Sequence, residues 1–396
     1  MPVAKKIQEA MERASWIRRM FEEGARLKKI RGEDRVFDFS LGNPCLDPPE
    51  RYRNALRQCL DQPARAAHGY MPNAGYPETR EAVARDLRSR RGCAITGDHI
   101  VMTCGAAGGL NVVLKTLLNP GDEVIVLVPF FPEYLFYVEN HGGRVRLVHT
   151  LEDFRLDLRA IEEALSPLTR AILLNSPNNP TGRMYSQESL GRLGALLDEA
   201  SRKAGRPVYL ISDEPYGDIL FDGRVLPDLF RCYAHTILVN SYSKSLSIPG
   251  ERLGYIAVHP DMKDAGTVLS GLTFSNRVLG FVNAPALQQR AVAAVADLKG
   301  PASEYQRRRD LLCSGLERIG YRFHWPDGAF YLFAPAPDSD EMPFVGALLQ
   351  EGVLVVPGRG FGKPGYFRVA FCVDEAVIVN ALPAFEKVFA LYRRRS

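Results

Sequence analysis

A lysine flanked by serines, in Ser241-Tyr242-Ser243-Lys244, directly follows the apolar run 236–240. Open α/β sheets bind ligands beyond the carboxyl ends of their parallel strands, so an amine placed there is positioned for chemistry. Lysine forms Schiff bases when burial or neighbouring cations strip its proton, whereas a solvated surface lysine is the ordinary alternative. Asp213-Glu214-Pro215-Tyr216 follows the run 207–212 in the same way. The carboxylate of Asp213 suits a metal ligand, a catalytic acid or a helix N-cap. Tyr216 supplies a phenol three residues further on. Asn178-Asn179-Pro180-Thr181-Gly182 follows the run 171–175, and turn chemistry alone accounts for its composition.

A second group of residues has the character of an anion site. Gly105-Ala106-Ala107-Gly108-Gly109 stands between Val101-Met102-Thr103 and the helical pattern 110–117. Small residues opening a helix let backbone N–H groups approach an anion, which the helix terminus also favours. The loop lacks the lysine of a nucleoside-triphosphate site and the spacing of a dinucleotide fingerprint, which leaves a lone phosphate monoester. Gly358-Arg359-Gly360-Phe361-Gly362 also follows an apolar strand but does not fit GxGxxG. Arg252 and Arg368 each adjoin an apolar segment. They read either as surface salt bridges or as guanidinium forks for phosphate or carboxylate.

The elements that must position these residues alternate along the middle of the chain. Apolar, β-branched runs at 123–128, 144–148, 171–175, 207–212, 236–240 and 254–258 predict strands. Helical patterns such as 157–164 and 187–200 lie between several of them. That alternation predicts βαβ units with a mainly parallel sheet, and continuous apolar runs fit strands buried on both faces. After about 287 the texture changes. A long helix is expected over 291–318, shorter strands around 321–324, 329–334, 353–356 and 366–370, and a last helix from 374 to about 393. Residues 7–30 predict one amphipathic helix lying on the rest of the protein.

The chain has 396 residues, too many for one core, so two domains are expected. The reading places an N-terminal segment (1–45) with a small C-terminal domain (291–396), and a large domain at 46–290. A net charge of +4 from spread-out basic residues argues against a nucleic-acid partner. Seven scattered cysteines without a CxxC pair, and dispersed histidines, point away from a disulfide framework and from a metal site. Charges interrupt the N-terminal region, which excludes a signal peptide, and no run approaches the roughly 18 apolar residues of a membrane span. The expected location is the cytoplasm.

Taken in order, the segments resemble the class I (class I/II) aminotransferases, the fold-type I family of pyridoxal-phosphate enzymes. The resemblance rests on Gly42-Asn43-Pro44, Tyr70 with Gly75, Gly105-Ala106-Ala107, Pro129-Phe130-Phe131-Pro132, Asn178 to Gly182, Ser212 to Tyr216, Ser241 to Lys244, Glu251-Arg252-Leu253-Gly254 and Phe367-Arg368. It covers nearly the whole chain. It implies an α/β protein: a three-layer α/β/α large domain with a mainly parallel sheet, plus a smaller α+β domain from the N- and C-terminal segments. It further implies pyridoxal 5'-phosphate as cofactor and a ping-pong transfer of an amino group from an L-amino acid to a 2-oxo acid. Lys244 would be the Schiff-base lysine and proton shuttle, and Asp213 the partner of the pyridinium nitrogen. Tyr216 and Asn179 would bond the ring's phenolic oxygen, and Phe131 would stack on the ring. Gly105, Ala106, Ala107, Ser241 and Arg252 would hold the phosphate. This family often has a hydroxyl side chain in the first of these loops, where this chain has alanines. Tyr70 would reach the phosphate of a neighbouring subunit, implying a homodimer with shared sites. Arg368 would clamp the substrate α-carboxylate, assisted by Asn179 and the backbone near Gly42.

Fold does not fix reaction type. A C–S β-lyase or another fold-type I enzyme would reuse the same lysine, aspartate and arginine. A ligand-sensing regulator would add a DNA-binding domain, for which the 41 residues before Gly42 are too few. A nicotinamide dehydrogenase needs a GxGxxG that is missing. Donor and acceptor stay open: a broad L-amino acid donor with 2-oxoglutarate or pyruvate is expected. Arg277, in Phe274-Ser275-Asn276-Arg277-Val278, is either a reader of a distal carboxylate or a surface residue.

Overall fold

A computed structural model describes residues 3–12, 16–61 and 67–393. Its strands are β1 (Phe37–Asp38), β2 (Ile100–Thr103), β3 (Glu123–Val128), β4 (Arg144–His149), β5 (Thr169–Asn175), β6 (Tyr209–Asp213), β7 (Thr236–Ser241), β8 (Gly254–Val258), β9 (Tyr331–Pro335), β10 (Val353–Leu354), β11 (Val356–Pro357) and β12 (Tyr366–Ala370). β2 to β8 form one seven-stranded sheet in the order β2-β8-β7-β6-β5-β3-β4. The pairs β3/β4, β3/β5, β5/β6 and β6/β7 are parallel, and only β8 runs against its two neighbours.

Alternation along the strands builds three layers. In β3, Val124, Val126 and Val128 face one apolar core while Ile125 and Leu127 face another. The first core is covered by the helix Gly105–Leu117 through Leu110, Val113 and Leu114, with Leu272 of the helix Ala265–Val278. The second is covered by the helix Gln187–Ala204 through Leu190, Leu193 and Leu197. Strands buried on both faces explain the near-continuous apolar runs in the sequence. The expected α/β architecture is borne out.

The remaining strands form a separate core. β9, β11 and β12 make an antiparallel sheet, and β1 pairs in parallel with β10. Phe39 ties the N-terminal segment in: its N–H donates to the Leu354 carbonyl, and its own carbonyl accepts from Ala370 N–H. Leu312, Leu316, Phe344, Phe367 and Phe385 fill the space between this sheet and its helices.

Four local expectations differ from the structure. Residues 291–318 are not one helix but the end of Ala286–Ala293 and most of Ala302–Ile319. Pro301, which has no N–H and disfavours a helical residue before it, separates them. Residues 321–324 form no strand. Tyr321 and Phe323 pack on the core at two-residue spacing without a ladder, and the Tyr321 hydroxyl donates to the Phe385 carbonyl at 3.1 Å. The run 353–356 splits at Val355 between β10 and β11, which belong to different sheets. The expected helix 7–30 is described as Lys5–Glu12 and Trp16–Arg31, with 13–15 outside the described residues. Its Met20 and Leu27 pack against Leu354, Val356 and Phe361.

Candidate active site

The parallel strands β5, β6 and β7 end side by side, in register at Asn175↔Asp213 and Asp213↔Val239. β2 runs the same way, so the helix that follows it starts at the same edge. A cavity of about 160 Å³ opens there. Ala106, Ala107, Phe131, Asn179, Asp213, Tyr216, Ser241, Lys244 and Arg252 line it. All nine are residues singled out in the sequence, drawn from segments far apart in the chain.

Lys244 sits in the short helix Tyr242–Ser245 that caps β7. Its Nζ donates to the Gly42 carbonyl at 2.7 Å and lies 5.6 Å from the centroid of the Phe330 ring. Burial pushes its pKa down to about 8; the Cys372 thiol opposes the fall, and Arg252 and Arg368 add to it. An amine so placed is part-deprotonated near neutrality.

Asp213 closes β6, fully surrounded by protein. Tyr134 Oη donates to its Oδ2 at 2.5 Å, while Oδ1 is buried with no hydrogen-bond partner among the described residues. Burial raises the carboxyl pKa to about 7; the Tyr134 bond lowers it and neighbouring Glu214 raises it further. Asn175 stitches this strand end to the 178–182 turn. Its Nδ2 donates to the Asp213 carbonyl at 2.9 Å, and its Oδ1 accepts from Asn179 N–H at 2.7 Å.

On the opposite wall the first-turn amides of Gly105–Leu117 have no intrahelical acceptor. Gly105 has φ of 71°, and a Cβ there would lie 2.6 Å from Arg252 Nη2, so the guanidinium rests directly on the loop. Arg252 Nη1 also donates to the Pro249 carbonyl at 2.9 Å. Amides, guanidinium and the hydroxyls of Ser241 and Ser243 together make a cradle for a phosphate monoester.

Arg368 enters from β12 and is 1% exposed. Its Nη1 donates to Asn179 Oδ1 at 2.9 Å and its Nη2 to the Ser40 carbonyl at 2.5 Å, while Nε has no partner among the described residues. The guanidinium lies 4.6 Å from the Tyr331 ring centroid and 4.8 Å from that of Phe361. Burial lowers its pKa, and the nearby phenols of Tyr331 and Tyr216 oppose that fall.

A model of the class I and II aminotransferase family matches residues 34–385. The chain belongs to that family. It is a pyridoxal-phosphate-dependent aminotransferase, as the order of motifs led one to expect. The aspartate/prephenate aminotransferase of Thermus thermophilus is 36% identical over 362 residues, which is 88% of this chain and 90% of that one. A solved amino transferase from Eubacterium rectale superposes with a TM-score of 0.95 at 38% identity, covering 99% of both chains. Thermus thermophilus aspartate aminotransferase with maleate superposes at 0.86, with 31% identity over 98% of this chain and 100% of that one. These relatives favour neither a lyase nor a regulator.

The cavity of this aminotransferase fits its cofactor by its own chemistry. The orphaned Oδ1 of Asp213 is an acceptor awaiting a donor, such as a protonated ring nitrogen. The cradle suits a phosphate, and Phe131 adds a flat apolar face to the lining. Five residues singled out in the sequence do not line the cavity directly: Gly42, Tyr70, Gly105, Arg277 and Arg368, the last of which reaches it through its bond to Asn179. Gly42 meets it only through the carbonyl held by Lys244, and Gly105 stands behind Arg252. Tyr70 is 94% exposed. Arg277 stacks on Phe274 in a surface groove with Asn73 and Arg80, away from the cavity. Sequence reading missed Tyr137, Asn175 and Ser243, gave Tyr134 no partner, and assigned nothing to Tyr331. The available signals were the three-residue spacing of Phe131 and Tyr134, and the position of Asn175 at a strand end.

Proposed function

We propose that Lys244, Asp213, Tyr216 and Arg368 carry the reaction, and that the donor is L-aspartate with 2-oxoglutarate as acceptor. The observation that supports the assignment is the single cavity where a part-deprotonated buried amine, an orphaned carboxylate oxygen and a phosphate cradle meet. When bound, pyridoxal phosphate supplies a carbonyl carbon for the amino group and an electron sink for the carbanion. Lys244 would anchor the cofactor and, once released, would move a proton between the substrate Cα and the cofactor's C4′ carbon. Asp213 holds a proton at the ring nitrogen. Tyr216 and Asn179 bond the phenolic oxygen, and Phe131 packs on the ring face. Gly105, Ala106, Ala107, Ser241 and Arg252 bind the phosphate. Arg368 fixes the α-carboxylate through its guanidinium fork, beside Asn179 and the backbone at Gly42, and so points the Cα hydrogen at Lys244.

The choice of donor rests on the names of the relatives. Arg277 lies outside this chain's own cavity, so its reach to a distal carboxylate would require a second copy. The exposed apolar side chains of Tyr70, Phe274 and Val278 support such a homodimer, with Tyr70 completing the neighbouring phosphate site. The free cysteines suit a reducing cytoplasm. Among the described residues no helix is long and apolar enough to cross a membrane.

The test is a donor panel with cofactor-loaded protein, following 2-oxo acid release. L-Aspartate with 2-oxoglutarate should yield oxaloacetate faster than any apolar or aromatic donor yields its own oxo acid. A clear preference for leucine or phenylalanine would overturn the choice of donor and leave the assignment of Lys244 untouched.

A further inference from the structure

Tyr331 is a buried phenol that stands behind the cavity wall. β9 and β12 pair with Arg368 opposite Phe333 and Ala370 opposite Tyr331, so Tyr331 and Arg368 are diagonal neighbours on one face. The Tyr331 hydroxyl lies 2.9 Å from the Tyr216 hydroxyl, with the two rings edge to face at 5.5 Å between centroids. Gly42 makes room for it: a Cβ at that position would overlap the Tyr331 hydroxyl. The same Gly42 carbonyl holds Lys244 Nζ. One phenol therefore touches the segments that carry the lysine's partner, the cavity tyrosine and the carboxylate clamp.

Two hydroxyls in contact share one hydrogen bond, and its direction matters. If Tyr216 donates to Tyr331, its proton is spent inside the wall. If Tyr331 donates, the Tyr216 proton is free for the cavity. We propose that Tyr331 is a positioning residue that donates to Tyr216 Oη and thereby turns the Tyr216 hydroxyl towards the cofactor's phenolic oxygen. Arg368 sets that direction. Its guanidinium lies over the Tyr331 ring, 4.6 Å from the centroid, where a positive charge favours release of the Tyr331 proton. Burial raises both phenols. Arg368 opposes that rise in both, as the first influence after burial at Tyr331 and the last one at Tyr216. The stronger acid donates, and chains of hydrogen bonds polarise one another, so a proton given by Tyr331 makes Tyr216 a better donor in turn.

The inference rests on the proposed role of Tyr216, and the experiment separates the two. Tyr331→Phe preserves shape and removes only the hydroxyl. The readout is the pH midpoint of the visible absorption of cofactor-loaded protein, which follows protonation at the chromophore rather than turnover. A weaker donor at the phenolic oxygen favours the protonated chromophore, so the midpoint should rise by about half to one pH unit, the size of one net hydrogen bond. In a Tyr216→Phe background, Tyr331→Phe should add nothing. An unchanged midpoint in Tyr331→Phe, or an equal shift in both backgrounds, overturns the proposal. If Tyr216→Phe alone leaves the midpoint in place, the role of Tyr216 is wrong and the inference falls with it. Thermal denaturation of each variant, loaded and unloaded, shows whether a missing shift reflects lost structure. Should Tyr331→Phe fail to fold, Gly42→Ala displaces the same hydroxyl by overlap and should raise the midpoint in the same direction; no rise there overturns the proposal equally.

Discussion

Tyr134 Oη donates to Asp213 Oδ2 at 2.5 Å, while the other carboxylate oxygen is left buried with no partner among the described residues. A buried acceptor without a donor costs free energy, and a protein keeps one where something else will fill it. Tyr134 aims the carboxylate, and the proposed donor to its free oxygen is the cofactor's ring nitrogen.

That arrangement sets a pH dependence in the cofactor-free protein. Burial raises the Asp213 carboxyl from its ordinary value near 3.8 to about 7, so the folded state binds the extra proton between them. The contribution of Asp213 to stability is therefore complete below about pH 4 and lost as pH rises through 7. Asp213→Asn should remove the loss, gaining roughly 2–3 kcal/mol relative to the parent between pH 5 and pH 8. Urea unfolding of both proteins at the two pH values measures it. A difference that does not change with pH would show that Asp213 is already ionised at pH 5.

Tyr134→Phe should leave both oxygens of Asp213 unpartnered. The expected cost is about 1–3 kcal/mol of stability at pH 8, where the carboxylate is charged, and less at pH 5. Because the Tyr134 bond lowers the Asp213 pKa, its loss should move the apo-protein's titration upwards. Equal destabilisation at both pH values would argue that Tyr134 acts by packing alone.

Much of this site was legible in the sequence because its residues sit at the ends of strands, where a run of apolar residues stops and a polar motif begins. Lys244, Asp213 and Asn179 each follow such a run, and register brings the ends together without further information. The parallel sheet was legible for the same reason, since both faces of its inner strands are covered, while the edge strand β4 is largely exposed. Tyr331 was not. It lies inside an apolar run, and its meaning comes from a hydroxyl-to-hydroxyl contact across 115 positions that no local pattern encodes. The break at Pro301 and the irregular stretch 321–326 were misread where periodicity continued but the hydrogen bonds did not.

On the proposed role of Lys244 as carrier of the Cα proton, Lys244→Ala should lower turnover by at least about 10³-fold. The phosphate cradle and Asp213 stay in place, so the variant should still bind pyridoxamine phosphate. Calorimetric binding beside a single-turnover assay separates the two effects. Retained turnover would end the assignment of Lys244.

Arg368→Leu removes a buried fork at which Asn179 and the Ser40 carbonyl are already aligned. Apparent substrate affinity should fall by about 30- to 1000-fold, as expected for one side of a buried charge pair. Arg368→Lys should recover little, since an ammonium cannot match a carboxylate through two parallel bonds. Full recovery by lysine would mean that charge alone holds the substrate there.

Behind the site, Arg91 Nη2 bonds Glu214 Oε2, and both side chains are buried, at 7% and 0% exposure. Glu214 also accepts from Ser212 Oγ at 2.8 Å, and its N–H donates to the Val239 carbonyl at 2.9 Å, so the pair braces the turn that carries Asp213. Arg91→Met strands a buried carboxylate and should cost about 3–5 kcal/mol at pH 8. Burial already pushes the Glu214 pKa up while Arg91 holds it down, so without the guanidinium the folded state keeps its proton to higher pH. The penalty should therefore shrink as pH falls towards 5, the folded state binding a proton that the unfolded state has released. Arg91→Met combined with Glu214→Gln should regain part of the loss, because no charge is then left unpaired. Unfolding midpoints for both single variants and the double variant form a cycle. If the double variant is no more stable than Arg91→Met at pH 8, the arginine matters to the fold for its packing on Phe230, 5.7 Å away, and not for the charge it neutralises.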